Sequence, residues 1–391
     1  MMKRAAIFIV SFFVCVRAFS AEGTPNQKKF IRGSLSEKTA AVREANESEA
    51  AELSQNAIQF AINYRELLGK DRDLSALAVA GVLSLPADYV HALSEPEKEA
   101  VAADFYRLYT LFSDETVKIA VLNRLVLLQL PGVSFAELLN TSVKSGSFAS
   151  ASQALNTAVI SALGTIGNQE SFRLLFNSLD NPAYAAYNNE IKNSVEQLME
   201  DAEGDILSFI QRGSVAQCRK LFDLCVKNEK ISEKLKANIA ENILSRTIYI
   251  MENSNTSVEQ LVSLQIDAYN VLVEQEWTRA SRIAVQFYNS SKELYAEKKL
   301  SDVQFADIIA KLPVLAPLDC TIAFSSYLQQ INKAKETETN VPSDVVILSI
   351  IQSLGAVGDK NAFDSLLSVT YFNYSDAVIK AARDALAGLK W

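Results

Sequence analysis

The feature that most constrains the fold is a stretch that returns after 191 residues. Leu163-Gly164-Thr165-Ile166-Gly167 recurs as Leu354-Gly355-Ala356-Val357-Gly358, and Phe172 and Leu175 recur at the same offset as Phe363 and Leu366. In the later copy Val345, Leu348, Ile351 and Leu354 follow helical spacing until Gly355 and Gly358 interrupt it. A second helix runs through Phe363, Leu366 and Leu367, and a third starts after Asp376 and carries Ile379, Ala382, Leu386 and Leu389. A helix–turn–helix–loop–helix unit of this kind cannot bury its apolar faces alone, so it must stack on others like itself.

A second marker sets the period. An apolar residue followed by lysine opens a helix at Val117-Lys118, Ile191-Lys192 and Ile379-Lys380, at separations of 74 and 188 residues. Both separations, and the offset of 191, are near-multiples of 37 to 38 residues, the length of a helix-pair repeat. Only 13 Gly and 8 Pro in 391 residues leave few breakers between helices. The pattern predicts a single long helix over 36–68, acidic and Ala-rich at its start, and helices over 74–83 and 95–112, the last opened by a Ser94/Glu97 capping box. It predicts further helices from Val117 to Leu128, over 134–143, and over 205–210, 215–227, 232–251, 258–274, 278–297, 303–311 and 318–333. No run alternates polar and apolar in the manner of a strand.

The unit V-x-x-A-x-x-x-L-G-x-[IV]-G-[DN], followed by a helix, an aromatic loop and an apolar-Lys helix start, resembles a HEAT repeat of the short bacterial type. The matching residues are Ala158 to Asn168 and Ser349 to Asp359; the resemblance extends over 156–199 and 345–389 and is faint at 114–143. It implies an all-α fold, an α-solenoid of stacked antiparallel helix pairs, degenerate in the middle where the Leu-Gly turn is missing. The organisation expected is a signal peptide over 1–20, a flexible segment over 21–35, and an N-terminal helical region over 36–113. Degenerate repeats over 114–332, a charged linker over 333–340 and a C-terminal unit with its capping helix over 341–391 complete it. The resemblance also implies a non-enzymatic scaffold or adaptor that binds a protein partner along its groove.

The compartment is read from the N-terminus. Lys3 and Arg4 precede a mostly apolar run, Ala5 to Val16, and Ala18-Phe19-Ser20 places small residues three and one before a cut ahead of Ala21. That is the pattern of a secretory signal peptide, and the apolar run is shorter than the roughly 20 residues a membrane span needs. A lipobox would want a small residue before Cys15, where Val14 stands, so the expected product is periplasmic or extracellular with no membrane span in the mature chain, and a lipid-anchored form or an uncleaved anchor is the lesser alternative. The first twenty residues hold three basic side chains and no acidic one, so the remainder carries 35 basic against 46 acidic groups, a net charge of −11. That balance argues against sequence-independent nucleic-acid binding.

The residue types that carry chemistry are scarce. His91 is the single histidine, so any Ser-His-Asp or Cys-His arrangement would rest on it alone. Cys218 and Cys225 stand seven apart on one helix, about 10 Å, too far for a disulfide, although either is free to meet Cys320; buried thiols are the ordinary alternative. The Gly164–Gly167 and Gly355–Gly358 turns follow no strand and lack the Lys-Ser/Thr of a phosphate loop. Glu47, Glu49 and Glu52 read as a solvated helix face. No catalytic, cofactor-binding or metal-binding residue is assigned. An envelope enzyme on a helical toroid, such as a polysaccharide lyase, is the alternative to a scaffold, and one histidine weighs against it. The partner-binding candidates are Tyr184 and Tyr187 in one matched repeat and Tyr371 and Tyr374 in the other, each a Y-x-x-Y ahead of an apolar-Lys helix start. A tyrosine there either faces a partner or folds back to seal its repeat, and local sealing is the more ordinary role.

Overall fold

The computed structural model describes residues 23–145, 150–253, 258–337 and 341–390. The expected signal peptide, 1–20, lies outside the described residues, as does the end of the charged linker, 338–340. Twenty-one α-helices and no strand are present among the described residues. One isolated bridge pairs Asp359 with Lys390. The chain divides into two compact units, Met1–Ser194 and Val195–Trp391.

In the first unit the helices are α1 (Pro25–Arg32), α2 (Leu35–Arg43), α3 (Glu47–Leu68), α4 (Arg72–Ser84), α5 (Ala87–His91), α6 (Glu95–Leu111), α7 (Glu115–Leu127), α8 (Val133–Lys144), α9 (Gln153–Ile166) and α10 (Gln169–Ser178). They form two layers. Helices α2, α4, α7 and α9 pack side by side in that order, while α3 packs on α6 and α8 on α10. Edge-on contacts of Tyr106 and Tyr109 with Phe135 tie α6 to α8. The Ser94/Glu97 box forms as expected, the Ser94 N–H donating to the Glu97 carboxylate at 2.9 Å.

Helix α11 (Asn188–Leu198) leads into the second unit, which contains α12 (Glu203–Arg212), α13 (Val215–Lys227), α14 (Glu233–Asn253), α15 (Val258–Glu274), α16 (Ser281–Ala296), α17 (Asp302–Leu315), α18 (Pro317–Glu336), α19 (Asp344–Val357), α20 (Phe363–Val369) and α21 (Asp376–Ala387). The layering here is regular. Even-numbered helices α12 to α20 each contact the next even one, odd-numbered helices α13 to α21 each contact the next odd one, and consecutive helices pack across the layers from α12/α13 to α14/α15, from α16/α17 to α18/α19, and at α20/α21. This is the stacked-pair arrangement of an α-solenoid, and it holds through the stretch whose sequence repeat is degenerate. Helix α19 begins and ends 191 residues after α9, so the matched sequences fold into matched elements.

The matched turns differ in detail. At Gly358 the backbone is left-handed, φ +72°, its N–H reaches Leu354 O, and its carbonyl accepts from the Lys390 N–H at 2.8 Å. Glycine is required there by the dihedral, whereas Gly355 is required by proximity: a Cβ on it would lie 2.9 Å from the Ala385 Cβ, where α19 meets α21. In the degenerate stretch the same left-handed stop is made without glycine. Glu276 after α15 and Lys298 after α16 have φ +47° and +60°, and each is followed by an N–H bonded back to a leucine carbonyl, Trp277 to Leu272 and Lys299 to Leu294.

Four expectations are corrected. The segment expected to be flexible, 21–35, is largely helical over its described part, 23–35: α1 has a Thr24/Gln27 capping box and buries Phe30 against α2 and α3. The single helix expected over 36–68 is two, because Asn46 accepts from the Ser48 N–H and restarts the chain as the cap of α3. Glu49 is not on a solvated face. It is 2% exposed, and its carboxylate accepts from the Thr24 hydroxyl, from the Asn26 amide at 2.6 Å and from the Asn46 N–H at 3.3 Å. Helix α18 runs to Glu336, so the first residues of the expected charged linker are helical. A further helix end differs: the helix expected over 303–311 is α17, which continues through Pro313 to Leu315. Pro313 has no N–H to give Ile309 O, and the Ser353 hydroxyl of α19 approaches that carbonyl instead, at 3.4 Å.

Candidate functional site

The four candidate tyrosines occupy three kinds of environment. Tyr374 is 6% exposed; its hydroxyl donates to Asn332 Oδ1 of α18 at 2.9 Å, and the Asn332 amide in turn donates to Ser365 O of α20 at 3.0 Å. The Lys335 ammonium lies 5.3 Å from the centre of its ring. Burial pushes the Tyr374 hydroxyl up to about 12. Tyr184 and Tyr187 sit in a short 3-10 segment, Pro182–Tyr187, and are half-buried. Tyr187 accepts from the Asn156 amide at 2.9 Å, and Tyr184 reaches Val143 O at 3.4 Å. Tyr371 alone is open to solvent, at 76% exposure. Three of the four therefore pack into the stack, Tyr187 on its own repeat and Tyr184 and Tyr374 on a helix of the preceding one, and Tyr371 is left with an accessible ring.

The other reactive types are placed as follows. His91 is exposed at the last position of α5. Cys218, Cys225 and Cys320 are buried free thiols, and burial raises Cys225 and Cys320 to about 12, so they serve as small apolar side chains. Among the described residues no cluster of His, Cys, Asp or Glu is arranged to hold a metal ion, and no helix is long and apolar enough to cross a membrane.

Two furrows, which the sequence does not announce, flank α15 in the second unit. One, of about 480 Å³, lies toward α13 and is lined by Val215, Ala216, Arg219, Glu259, Gln260 and Ser263. The other, of about 590 Å³, lies toward α17 and is lined by Glu259, Val262, Ser263, Ile266, Asp267, Lys299 and Gln304, among others. Glu259, Ser263 and Asp267 follow one another at four-residue spacing, so they share a side of α15. Arg219 spans the first furrow: it donates to Asp267 Oδ2 at 2.5 Å and to the Ser263 hydroxyl at 3.1 Å. Glu259, exposed and shared by both furrows, has no hydrogen bond or ion pair among the described residues.

No known protein family, curated protein or solved structure matches the chain. The reading of this surface rests on its own geometry. Its floor is apolar (Val215, Val262, Ile266), and its rim offers an unpaired carboxylate beside amide and hydroxyl groups that both donate and accept. Such a surface suits an extended chain carrying a cation.

Proposed function

We propose that the protein is an exported, HEAT-like scaffold or adaptor that binds a protein partner in the periplasm or at the cell envelope. The observation that carries the reading is Glu259, unpaired among the described residues on the ridge between two furrows that flank α15, one toward α13 and the other toward α17. Adjacent furrows on one layer of a stacked array give a long, shallow, preformed surface, the form in which repeat proteins hold partners. The partner segment that fits carries a basic side chain opposite Glu259, in keeping with the acidic balance of the chain. Export follows from the basic start, the apolar run and Ala18-Phe19-Ser20.

A photo-cross-linking residue at Gln260, in the full-length protein produced in its native cell, tests this. The expected result is one discrete envelope-protein adduct from position 260, none from a control position on α21, and loss of that partner's binding in Glu259→Lys. Absence of a specific adduct, or binding unchanged in Glu259→Lys, refutes it. N-terminal sequencing of the same material is expected to begin near Ala21 or Glu22, and a chain retaining Met1 overturns the export reading.

A further inference from the structure

A separate cleft of about 570 Å³ opens in the second unit where the end of α16, the start of α17 and the later part of α18 meet the segment before α19. Its walls include Tyr295, Tyr327, Leu300, Ile331 and Pro342. Both rings are held in place, by the buried Phe305 behind them and, for Tyr295, by Asp302 at the rim. Tyr295 stacks on Phe305 with centroids 4.8 Å apart, and its hydroxyl donates to Asp302 Oδ1 at 2.8 Å. Tyr327 meets the same Phe305 edge-on at 6.2 Å, and the Lys292 ammonium lies 5.5 Å from its ring centre. Phe305 is itself fully buried and stacks on Tyr288. The aromatic walls are therefore ordered before any ligand arrives, so a ligand meets little entropic cost there.

The polar groups decide the ligand. Lys298, Asp302 and Gln330 stand at the rim, exposed. The Gln330 amide and the Lys298 ammonium have no side-chain partner among the described residues, and the Asp302 carboxylate is engaged only by Tyr295. An apolar peptide anchor closing over this rim would strip water from an amide, an ammonium and a carboxylate and return nothing to them. A polyol returns a hydroxyl to each, because every hydroxyl both donates and accepts. One cation, Lys298, and one anion, Asp302, leave the rim without net charge, which favours a neutral ligand over a charged one. The electron-rich faces of the two tyrosines attract the weakly positive C–H edge of a saturated ring. We infer that this cleft binds a neutral saccharide unit, its C–H face against Tyr295 and Tyr327 and its hydroxyls on Gln330, Asp302 and Lys298. The inference does not depend on the protein-partner reading.

Calorimetric titration of the mature protein with N,N′-diacetylchitobiose, maltotriose and cellobiose tests it, with a proline-rich peptide as the competing class. At least one saccharide is expected to bind at one site per chain. Gln330→Ala, an exposed change, is expected to weaken that binding by at least about fivefold without moving the melting temperature, and Tyr327→Phe to leave it within about threefold. Gln260→Ala, in the furrows beside α15, is expected to change nothing. No heat from any of the three saccharides, binding of the peptide alone, or saccharide binding unaffected by Gln330→Ala each overturns the assignment. Failure here with the Gln260 adduct still formed removes the saccharide site and leaves the scaffold reading standing.

Discussion

Whether the Y-x-x-Y loops bind or seal is decided most sharply at Tyr374. The change Tyr374→Phe keeps the ring and its packing and deletes one oxygen. That oxygen donates to Asn332 Oδ1, and Asn332 is 4% exposed, so water cannot replace the lost donor. The amide cannot turn over to compensate, because its nitrogen is committed to Ser365 O at 3.0 Å. A buried acceptor stripped of its donor costs about 1–3 kcal/mol, which is the expected destabilisation. The assay is urea unfolding followed by far-ultraviolet circular dichroism, with Tyr371→Phe as the control. At 76% exposure Tyr371 has little to lose, and its change is expected within about 0.5 kcal/mol of zero. Combining Tyr374→Phe with Asn332→Ala is expected to cost less than the two singles together, by about 1 kcal/mol, since both remove the same bond. A Tyr374→Phe effect below about 0.5 kcal/mol with an additive double variant would refute the sealing argument. The hydroxyl also carries a pH signature. Its proton is held to about 12 in the folded chain, against about 10 when unfolded. The folded state thus keeps the proton longer, the stabilisation is complete below about pH 10, and it declines as pH rises from about 10 to 12. Tyr374→Phe is expected to remove this residue's share of the alkaline decline.

Four further outcomes follow from the same structure. Replacing Lys298 or Glu276 by glycine relieves a left-handed side-chain residue and is expected to raise stability by about 1 kcal/mol each, read as a shift of the urea midpoint; a loss of stability would contradict the assigned turns. Burial alone would raise the Glu49 carboxyl, but the hydrogen bonds from Thr24, Asn26 and Asn46 outweigh it and hold it below the ordinary glutamate value. Its stabilisation is therefore present above that ordinary value and lost as pH falls through the lower folded one, and Glu49→Gln is expected to flatten the acid limb of a stability–pH curve. Gly355→Ala is expected to destabilise by about 1–3 kcal/mol through the Ala385 contact and to be partly rescued by Ala385→Gly; absence of rescue would place the strain elsewhere. Tyr371→Ala, with its accessible ring, is expected to leave the melting temperature unchanged, and a drop in affinity for the cross-linked partner would extend the binding surface to it.

What could be read from the chain, and what could not, divides by how far apart the interacting residues lie. Helix periodicity is local, and α13 and α15 were placed to the residue from their apolar spacing alone. The Leu-Gly-x-x-Gly turn is local too, and its two copies announced the stacking. The stacking then persisted where the turn was absent, because a left-handed stop needs only a tolerated dihedral, and Glu276 and Lys298 supply it without the glycine that would have marked it. The end of α17 was illegible for the opposite reason. Pro313 normally ends a helix, but Ser353, 40 residues later, faces the carbonyl it abandons, and nothing near Pro313 foretells that. The sites lie wholly in this second category. Tyr374 is settled by Asn332, 42 residues earlier, and the furrows beside α15 are assembled from three helices that neighbour one another in space but not in sequence. A tyrosine or a glutamate in a repeat protein carries the same letter whether it seals, solvates or binds. Glu49 and Glu259 make the point: the first sits among acidic neighbours and is buried on three donors, while the second stands exposed in the first turn of α15 and is unpaired among the described residues. Only the partner residues, brought in by stacking, separate the two roles.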